Sequence, residues 1–290
     1  MDTSQRRGRR GRDDRTVRRR RVVALAALLS SAAVAWTIVS LAAGPDTRGA
    51  RVMHYTIASR LLHRSLEQVG VSAATAGRLP ALLVFLHGMG QDQESSLDAQ
   101  FYSAISRLGP SAPDVVFPYG GDDSYWHDRA NGAWASYVVS EVIPQAIRRL
   151  HADPNRVAIG GLSMGGFGAY DIARRYPGKF CAVGGDSAAL WFSGGETAAG
   201  AFDDGEDFER HDVLRAARTV ASLYRGVPLW LDVGSADPFR GADEALAREL
   251  AARGERVQFH VWPGGHDDAY WSSHWESYLH FYANALSKCR

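Results

Sequence analysis

From residue 81 to the C-terminus, short uninterrupted apolar runs alternate with stretches of helical character. The runs are Ala81–Leu86 (ALLVFL), Asp114–Phe117, Arg156–Gly160, Phe180–Gly184, Pro228–Val233 (PLWLDV) and Val257–Trp262. Helical character spans residues 92–108, 134–151, the segment from the Gly-rich turn at 160–166 to Arg175, 212–224, Ala242–Arg253 and 268–287. A strand that is apolar at every position is buried on both faces. The pattern therefore predicts an α/β fold with a mostly parallel central sheet and helices on both sides. Two β-type stretches, Met53–Ser59 and Ser65–Ser72, precede the alternation, and residues 187–211 read as irregular. In such sheets function collects in loops at the carboxyl ends of the strands.

Charge divides the chain sharply. Residues 1–21 hold ten of the 33 basic residues and only Asp2, Asp13 and Asp14 of the 32 acidic ones, a net +7. The other 269 residues carry 23 bases and 29 acids, a net −6. Residues 22–43 contain no charge at all and, as a helix, would span about 33 Å, enough to cross a bilayer core. We read 1–21 as a basic cytoplasmic tail, 22–43 as a transmembrane signal anchor, 44–52 as a linker and 53–290 as the catalytic domain. The competing reading of 22–43 is a cleaved export signal, since Ser40-Leu41-Ala42 has a small-x-small pattern. Either way the arginines hold the N-terminus in the cytoplasm and the body lies outside it: membrane-anchored, or secreted if the segment is cleaved. An arginine cluster abutting an apolar span is explained by lipid head groups, so nucleic acid is not an expected partner. Hydrophobic residues at 46% and charged residues at 22% exclude wholesale disorder.

The run Gly161-Leu162-Ser163-Met164-Gly165 stands between a strand and a helix. That is G-x-S-x-G in the context that lifts a serine hydroxyl above a sheet on a sharp turn, so Ser163 is the candidate nucleophile. A serine needs a base, and the base an orienting carboxylate. Asp237 follows the strand at 228–233 and His266 follows the strand at 257–262. The order Ser163…Asp237…His266 is that of α/β-hydrolases. Asp186 is the alternative acid and His274 the alternative base. Two backbone amides suit an oxyanion hole: that of Met164, directly after the serine, and that of Met89 in the turn His87-Gly88-Met89-Gly90, with Gly88 as the alternative. His87 is expected to brace that turn.

These residues carry a resemblance. Asp153–Ser187, Leu86–Asp92 (LHGMGQD) and Tyr125-Trp126…Trp134…Tyr137…Glu141-Val142-Ile143-Pro144 together resemble the putative-esterase (esterase D and antigen 85-like) family of α/β-hydrolases. The resemblance covers about residues 53–286. It implies serine ester chemistry: Ser163 acylated, His266 as base and then acid, Asp237 holding His266. It leaves the substrate open, a small-molecule or a lipid ester. The antigen 85 group is similar in fold but uses glutamate where this chain has Asp237.

The expected function is thus a serine carboxylesterase. An envelope acyltransferase using a lipid or sugar hydroxyl is the alternative, and a non-catalytic hydrolase-fold envelope protein a further one. Aromatic residues in the loops suggest an apolar pocket, with Trp126, Trp191 and Phe192 as its lining and Tyr125, His127, Phe202 and Phe208 nearby. The acidic run Asp203, Asp204, Glu206, Asp207 reads as a solvated loop. No CxxC or HExxH pattern occurs, so no metal and no cofactor is expected. The two cysteines, Cys181 and Cys289, fall on the face opposite the catalytic loops, where a disulfide is geometrically permitted.

Overall fold

A computed structural model describes residues 46–73 and 79–289. The tail and the apolar stretch at 22–43 lie outside the described residues. Among the described residues no helix is long and apolar enough to cross a membrane. Residues from Thr47 onward form one compact unit.

Eight strands make the central sheet: β1 (Arg51–Ser59), β2 (Arg64–Ser72), β3 (Leu82–Leu86), β4 (Asp114–Pro118), β7 (Val157–Gly161), β8 (Val183–Asp186), β9 (Leu229–Gly234) and β10 (Val257–Trp262). β5 (Asp128–Arg129) and β6 (Gly132–Ala133) form a separate small hairpin. The sheet order is β1-β2-β4-β3-β7-β8-β9-β10. The β1/β2 and β2/β4 pairs are antiparallel and every other pair is parallel. β1 begins at Arg51, inside the stretch read as linker.

The burial pattern shows why continuous apolar runs were needed. Leu82, Val84 and Leu86 belong to the core on one face of the sheet, Leu83 and Phe85 to the core on the other. One face is covered by the helices Ala99–Leu108 and Asp268–Ser287, which supply Phe101, Ile105, Trp275 and Leu279. The other is covered chiefly by the run from Trp134 to Leu150, the helix Met164–Arg175 that follows Ser163 and the helix Arg240–Ala252. Crossing the sheet, strand order reverses between β3 and β7, which opens a crevice at their carboxyl ends. His87–Met89 and Ser163 leave those two strands.

Some element boundaries differ from the sequence expectation for identifiable reasons. The strand expected over Phe180–Gly184 is β8, which starts later and runs on through Gly184 and Gly185 to Asp186. Any Cβ on either glycine would meet the Tyr282 hydroxyl or the Tyr170 ring, so these glycines make room for tyrosines packed on the strand. The segment 92–108 becomes helical only from Ala99, where Asp98 caps it by accepting from the Phe101 N–H. The run 134–151 widens into a π turn over Val138–Val142. Pro144 lacks an N–H, and its ring would strike the carbonyl four residues back in a regular helix. Within the stretch read as irregular, Gly205–His211 forms a short helix capped by Asp204, which accepts from the Asp207 N–H. Asp207 is itself buried, so the reading of the acidic run as a solvated loop fails for that residue, while Asp203, Asp204 and Glu206 are exposed.

Cys181 and Cys289 are joined by a disulfide that pins the end of the last helix to the approach to β8. The bridge closes a span of 108 residues. Cys289→Ser is expected to cost roughly 2–5 kcal/mol of stability. Denaturant unfolding with and without a reductant checks this: the reductant should shift the wild type and leave the variant unmoved.

Candidate active site

The local backbone around Ser163 follows from its glycines. Ser163 sits at φ 54°, ψ −117°, a strained conformation for a residue with a Cβ. A Cβ on Gly161 would meet the Leu86 carbonyl at 2.5 Å and the Gly165 backbone at 2.7 Å. A Cβ on Gly165 would run into the Leu86 carbonyl as well. Backbone rather than flexible side chain occupies the space, so the turn tolerates no side chain at either position. The strain is held by three bonds: the Ser163 N–H donates to the Asp186 carbonyl at 2.9 Å, and its carbonyl accepts from Phe167 and Ala189 at 3.1 and 3.0 Å.

The structure brings Ser163, His266 and Asp237 into one hydrogen-bonded line. Ser163 Oγ lies 2.8 Å from His266 Nε2, and His266 Nδ1 lies 2.8 Å from Asp237 Oδ2. Asp237 Oδ1 accepts from the Phe239 N–H at 2.8 Å. Burial raises the Asp237 pKa, but the His266 imidazole and the Phe239 amide outweigh it and hold the carboxyl below its ordinary range. As a carboxylate it accepts the Nδ1–H, so Nε2 presents its lone pair to the serine. The loops bearing acid and base are tied to each other: Ser235 N–H donates to Trp262 O at 2.7 Å and Ala236 N–H to Gly264 O at 2.9 Å. Phe239 and Trp271 pack on the imidazole, with ring centroids at 5.1 and 4.9 Å.

The two alternatives lie elsewhere. His274 stacks on Trp262 and its Nδ1 faces the Tyr270 carbonyl at 2.7 Å. Asp186 is fully buried, and burial and then the neighbouring Asp232 push it well above the carboxylate range. Burial raises Asp232 as well, but its carboxylate accepts from Tyr270 Oη at 2.7 Å and Trp230 Nε1 at 2.8 Å, which offset part of that rise.

Two amides converge near the serine. Met164 is the first residue of its helix, so its N–H has no acceptor within that helix. In the His87–Gly90 turn, the Gly88 N–H donates to Gln91 Oε1 at 3.0 Å and the Gly90 N–H to Asp122 O at 2.8 Å. Among the described residues the Met89 N–H meets no acceptor. The turn lies against the nucleophile: a Cβ on Gly88 would sit 3.4 Å from that of Ser163.

His87 braces this turn from beneath. Its Nδ1–H donates to the Gly88 carbonyl at 2.7 Å and its Nε2 accepts from the Gly120 N–H at 2.9 Å. Burial lowers its pKa to about 4, against a partial offset from the Gly88 carbonyl. A histidine whose folded pKa lies below its unfolded one binds fewer protons folded than unfolded. Its contribution is therefore complete above about pH 6.5 and is lost as pH falls toward 4. We expect His87→Gln to remove on the order of 3 kcal/mol of the stability difference between pH 7 and pH 4. Urea unfolding of both proteins at the two pH values checks this, and an unchanged difference refutes it.

The aromatic residues divide. Trp126, expected to line the pocket, is instead fully buried. Its Nε1–H donates to the His87 carbonyl at 3.1 Å, so it supports the turn from within the core. Trp191 is nearly buried, in ring contact with Tyr125, Phe202 and Phe239, whereas Phe192 is 53% exposed. Trp191, Phe192, Pro238 and Phe239 line a cavity of about 440 Å³ beside Asp237, with Glu196 at its edge. A larger cavity of about 560 Å³ lies beside the disulfide and contains none of the three site residues. The smaller one is not lined by these three either, but Pro238 and Phe239 directly follow Asp237 and place it next to the acid.

Such an arrangement can activate a serine hydroxyl and receive an oxyanion. Residues 70–279 match the family model described as Putative esterase. The chain belongs to this esterase family. The chain is 28% identical over 118 residues to an esterase of Mycobacterium tuberculosis, a match covering 38% of this chain and only 25% of that protein's length. It is 26% identical over 246 residues to a diacylglycerol acyltransferase/mycolyltransferase of Mycobacterium leprae, covering 73% of each. Among solved structures it is similar to a ferulic acid esterase, with TM-score 0.71, 22% identity, and coverage of 81% of this chain and 98% of that one. That likeness shows the α/β-hydrolase fold.

The sequence reading missed the engaged state of Gly88, which rests on Gln91 reaching back three residues, and the stacking of Phe239 on His266. The position of Phe239, two residues after the acid, was the available signal.

Proposed function

We propose that the chain is a serine carboxylesterase acting through Ser163, His266 and Asp237. The observation that carries the reading is the unbroken hydrogen-bond line from Ser163 Oγ through the imidazole to Asp237. Ser163 Oγ attacks the ester carbonyl carbon while His266 Nε2 takes its proton. The oxyanion is received by the N–H groups of Met164 and Met89. His266 then gives the proton to the leaving alcohol as the tetrahedral intermediate collapses to the acyl-enzyme. Water, deprotonated by the same imidazole, releases the acid. The cavity lined by Trp191, Phe192 and Phe239 takes an apolar acyl or aryl group.

A fluorophosphonate probe tests the assignment. Labelling mapped by mass spectrometry to Ser163 is the expected result; an unlabelled protein would support the non-catalytic scaffold instead. The similarity to the mycobacterial mycolyltransferase favours a second reading, acyl transfer to a lipid or sugar hydroxyl. Product analysis with candidate acceptors separates the two, since transfer ester in excess of free acid displaces the hydrolase.

We further propose that the catalytic domain works outside the cytoplasm, held by residues 22–43 or released after their cleavage. The Cys181–Cys289 disulfide supports this reading, because such bonds persist in oxidising compartments. Fractionation of cells expressing the full chain, with protease accessibility of the domain, checks it.

A further inference from the structure

Three elements meet in a buried polar cluster beside the aromatic residues that back the cavity. The short helix Gly205–His211 supplies Asp207 and His211, four residues apart and thus on one face. The segment after β4 supplies His127, and the nucleophile helix supplies Asp171. His127, Asp207 and His211 are all buried, and each offers one ligand atom within 4.8 Å of the others. His127 Nε2 lies 3.0 Å from Asp207 Oδ2, and His211 Nε2 lies 3.6 Å from Asp207 Oδ1. Ligands around a tetrahedral zinc ion, at about 2.0–2.1 Å from it, stand roughly 3.3 Å from each other. The two spacings to the Asp207 carboxylate, one to each oxygen, lie on either side of that value, and the whole set lies within 4.8 Å.

The surroundings of His211 are arranged as a metal-binding histidine requires. His211 Nδ1–H donates to the buried Asp171 carboxylate at 2.7 Å, which leaves the Nε2 lone pair facing Asp207. A ligating histidine whose other nitrogen is held by a carboxylate is the recurrent outer-shell pattern of zinc sites. His127 has a buried Nδ1 without a hydrogen-bond partner, so its single proton can occupy Nδ1 when Nε2 binds an ion. Two cationic side chains also touch the cluster. Arg175 Nη2 lies 3.3 Å from His211 Nε2, and Arg210 Nη2 lies 3.2 Å from Asp207 Oδ1. Arg210 is 57% exposed and can turn to solvent, whereas Arg175 also holds Asp171 at 3.2 Å and the Arg210 carbonyl at 2.9 Å, so an ion at His211 Nε2 displaces only its contact there. Arg174 pairs with Asp171 and need not move.

We propose that His127, Asp207 and His211 form a site for a borderline divalent cation of the zinc type. Two imidazoles and one carboxylate suit zinc over the oxygen-seeking calcium and magnesium. The ion joins the helix Gly205–His211 to the segment that carries Tyr125 and His127, and through Asp171 to the nucleophile helix. Phe202, stacked on His127 at 5.1 Å, is fixed with it. The role is structural: the ion ties these three elements together within the buried core.

The test uses the full chain, stripped with a chelator and desalted. Calorimetric titration with zinc chloride is expected to show one ion per chain, and saturation to raise the unfolding midpoint by at least about 4 °C. Cobalt(II) in its place should give the intense visible bands of a tetrahedral ion, discharged by zinc. Asp171→Asn, which leaves all three ligands in place, should weaken zinc binding by roughly 10–100-fold. His211→Gln and His127→Gln should abolish it, while His280→Gln, a surface control, should not. A wild type that binds no stoichiometric zinc, a weak octahedral cobalt spectrum, or binding unchanged in both ligand variants would each overturn the site. Should the ligand variants fail to fold, the wild-type cobalt spectrum and the Asp171→Asn affinity decide the matter.

Discussion

Ser163→Ala is expected to lower kcat for short p-nitrophenyl esters by roughly 10⁶-fold, with little change in stability. The size of the loss follows from the role. Without the hydroxyl there is no acyl-enzyme, and the residual rate comes only from the oxyanion donors and from binding. Stability should hold because the three bonds at position 163 that fix the turn are made by backbone groups, which alanine keeps. The strained φ is also unchanged by the substitution. Steady-state kinetics alongside thermal unfolding provide the check. Activity within tenfold of wild type would remove Ser163 from the nucleophile's role, and a collapse in stability would make the kinetic result uninterpretable.

Asp237→Asn should lower kcat by about 10⁴-fold while preserving the geometry. An asparagine amide turned toward His266 offers a donor where Nδ1–H needs an acceptor. The imidazole then carries its proton on the nitrogen that should receive the serine proton. No neighbouring acid is placed to compensate. Asp186 is fully enclosed and held in its neutral form by burial and by Asp232, so it can neither approach His266 nor supply the charge. Asp186→Asn should accordingly leave kcat within a few-fold of wild type. Kinetics of the two variants side by side distinguish the acids; the reverse ranking would transfer the role to Asp186.

The catalytic loops were legible because their chemistry is local. Ser163, Asp237 and His266 each stand within five residues of a strand end, in runs whose glycines announce a turn. Parallel strands deliver their loops to one edge of the sheet, so residues 103 positions apart in sequence can meet at 2.8 Å. Trp126 shows the opposite case. A loop position and a large aromatic ring suggest a pocket wall, but whether a ring faces substrate or core depends on what else fills the core. Here the missing side chains of Gly120 and Gly168 open the space that the indole occupies. Asp207 was misread for the same reason. Its polar neighbours in sequence suggested solvent, while its partner His127, 80 residues away, comes from a contact that only folding creates.

What the sequence alone determined is the layered α/β architecture, the order of strands and helices in all but their ends, and the positions of Ser163, Asp237 and His266. Hydrophobic periodicity and turn chemistry are properties of a few consecutive residues, and they survive in any reading of the chain. What only the tertiary structure decided is which groups are already engaged: Gly88 occupied and Met89 free, Asp186 neutral and Asp237 charged, Trp126 buried and Phe192 exposed. Each of these depends on desolvation or on hydrogen bonds that the folded backbone brings into place. A residue's burial and its hydrogen-bond partners are set by the whole fold, and no local pattern encodes them.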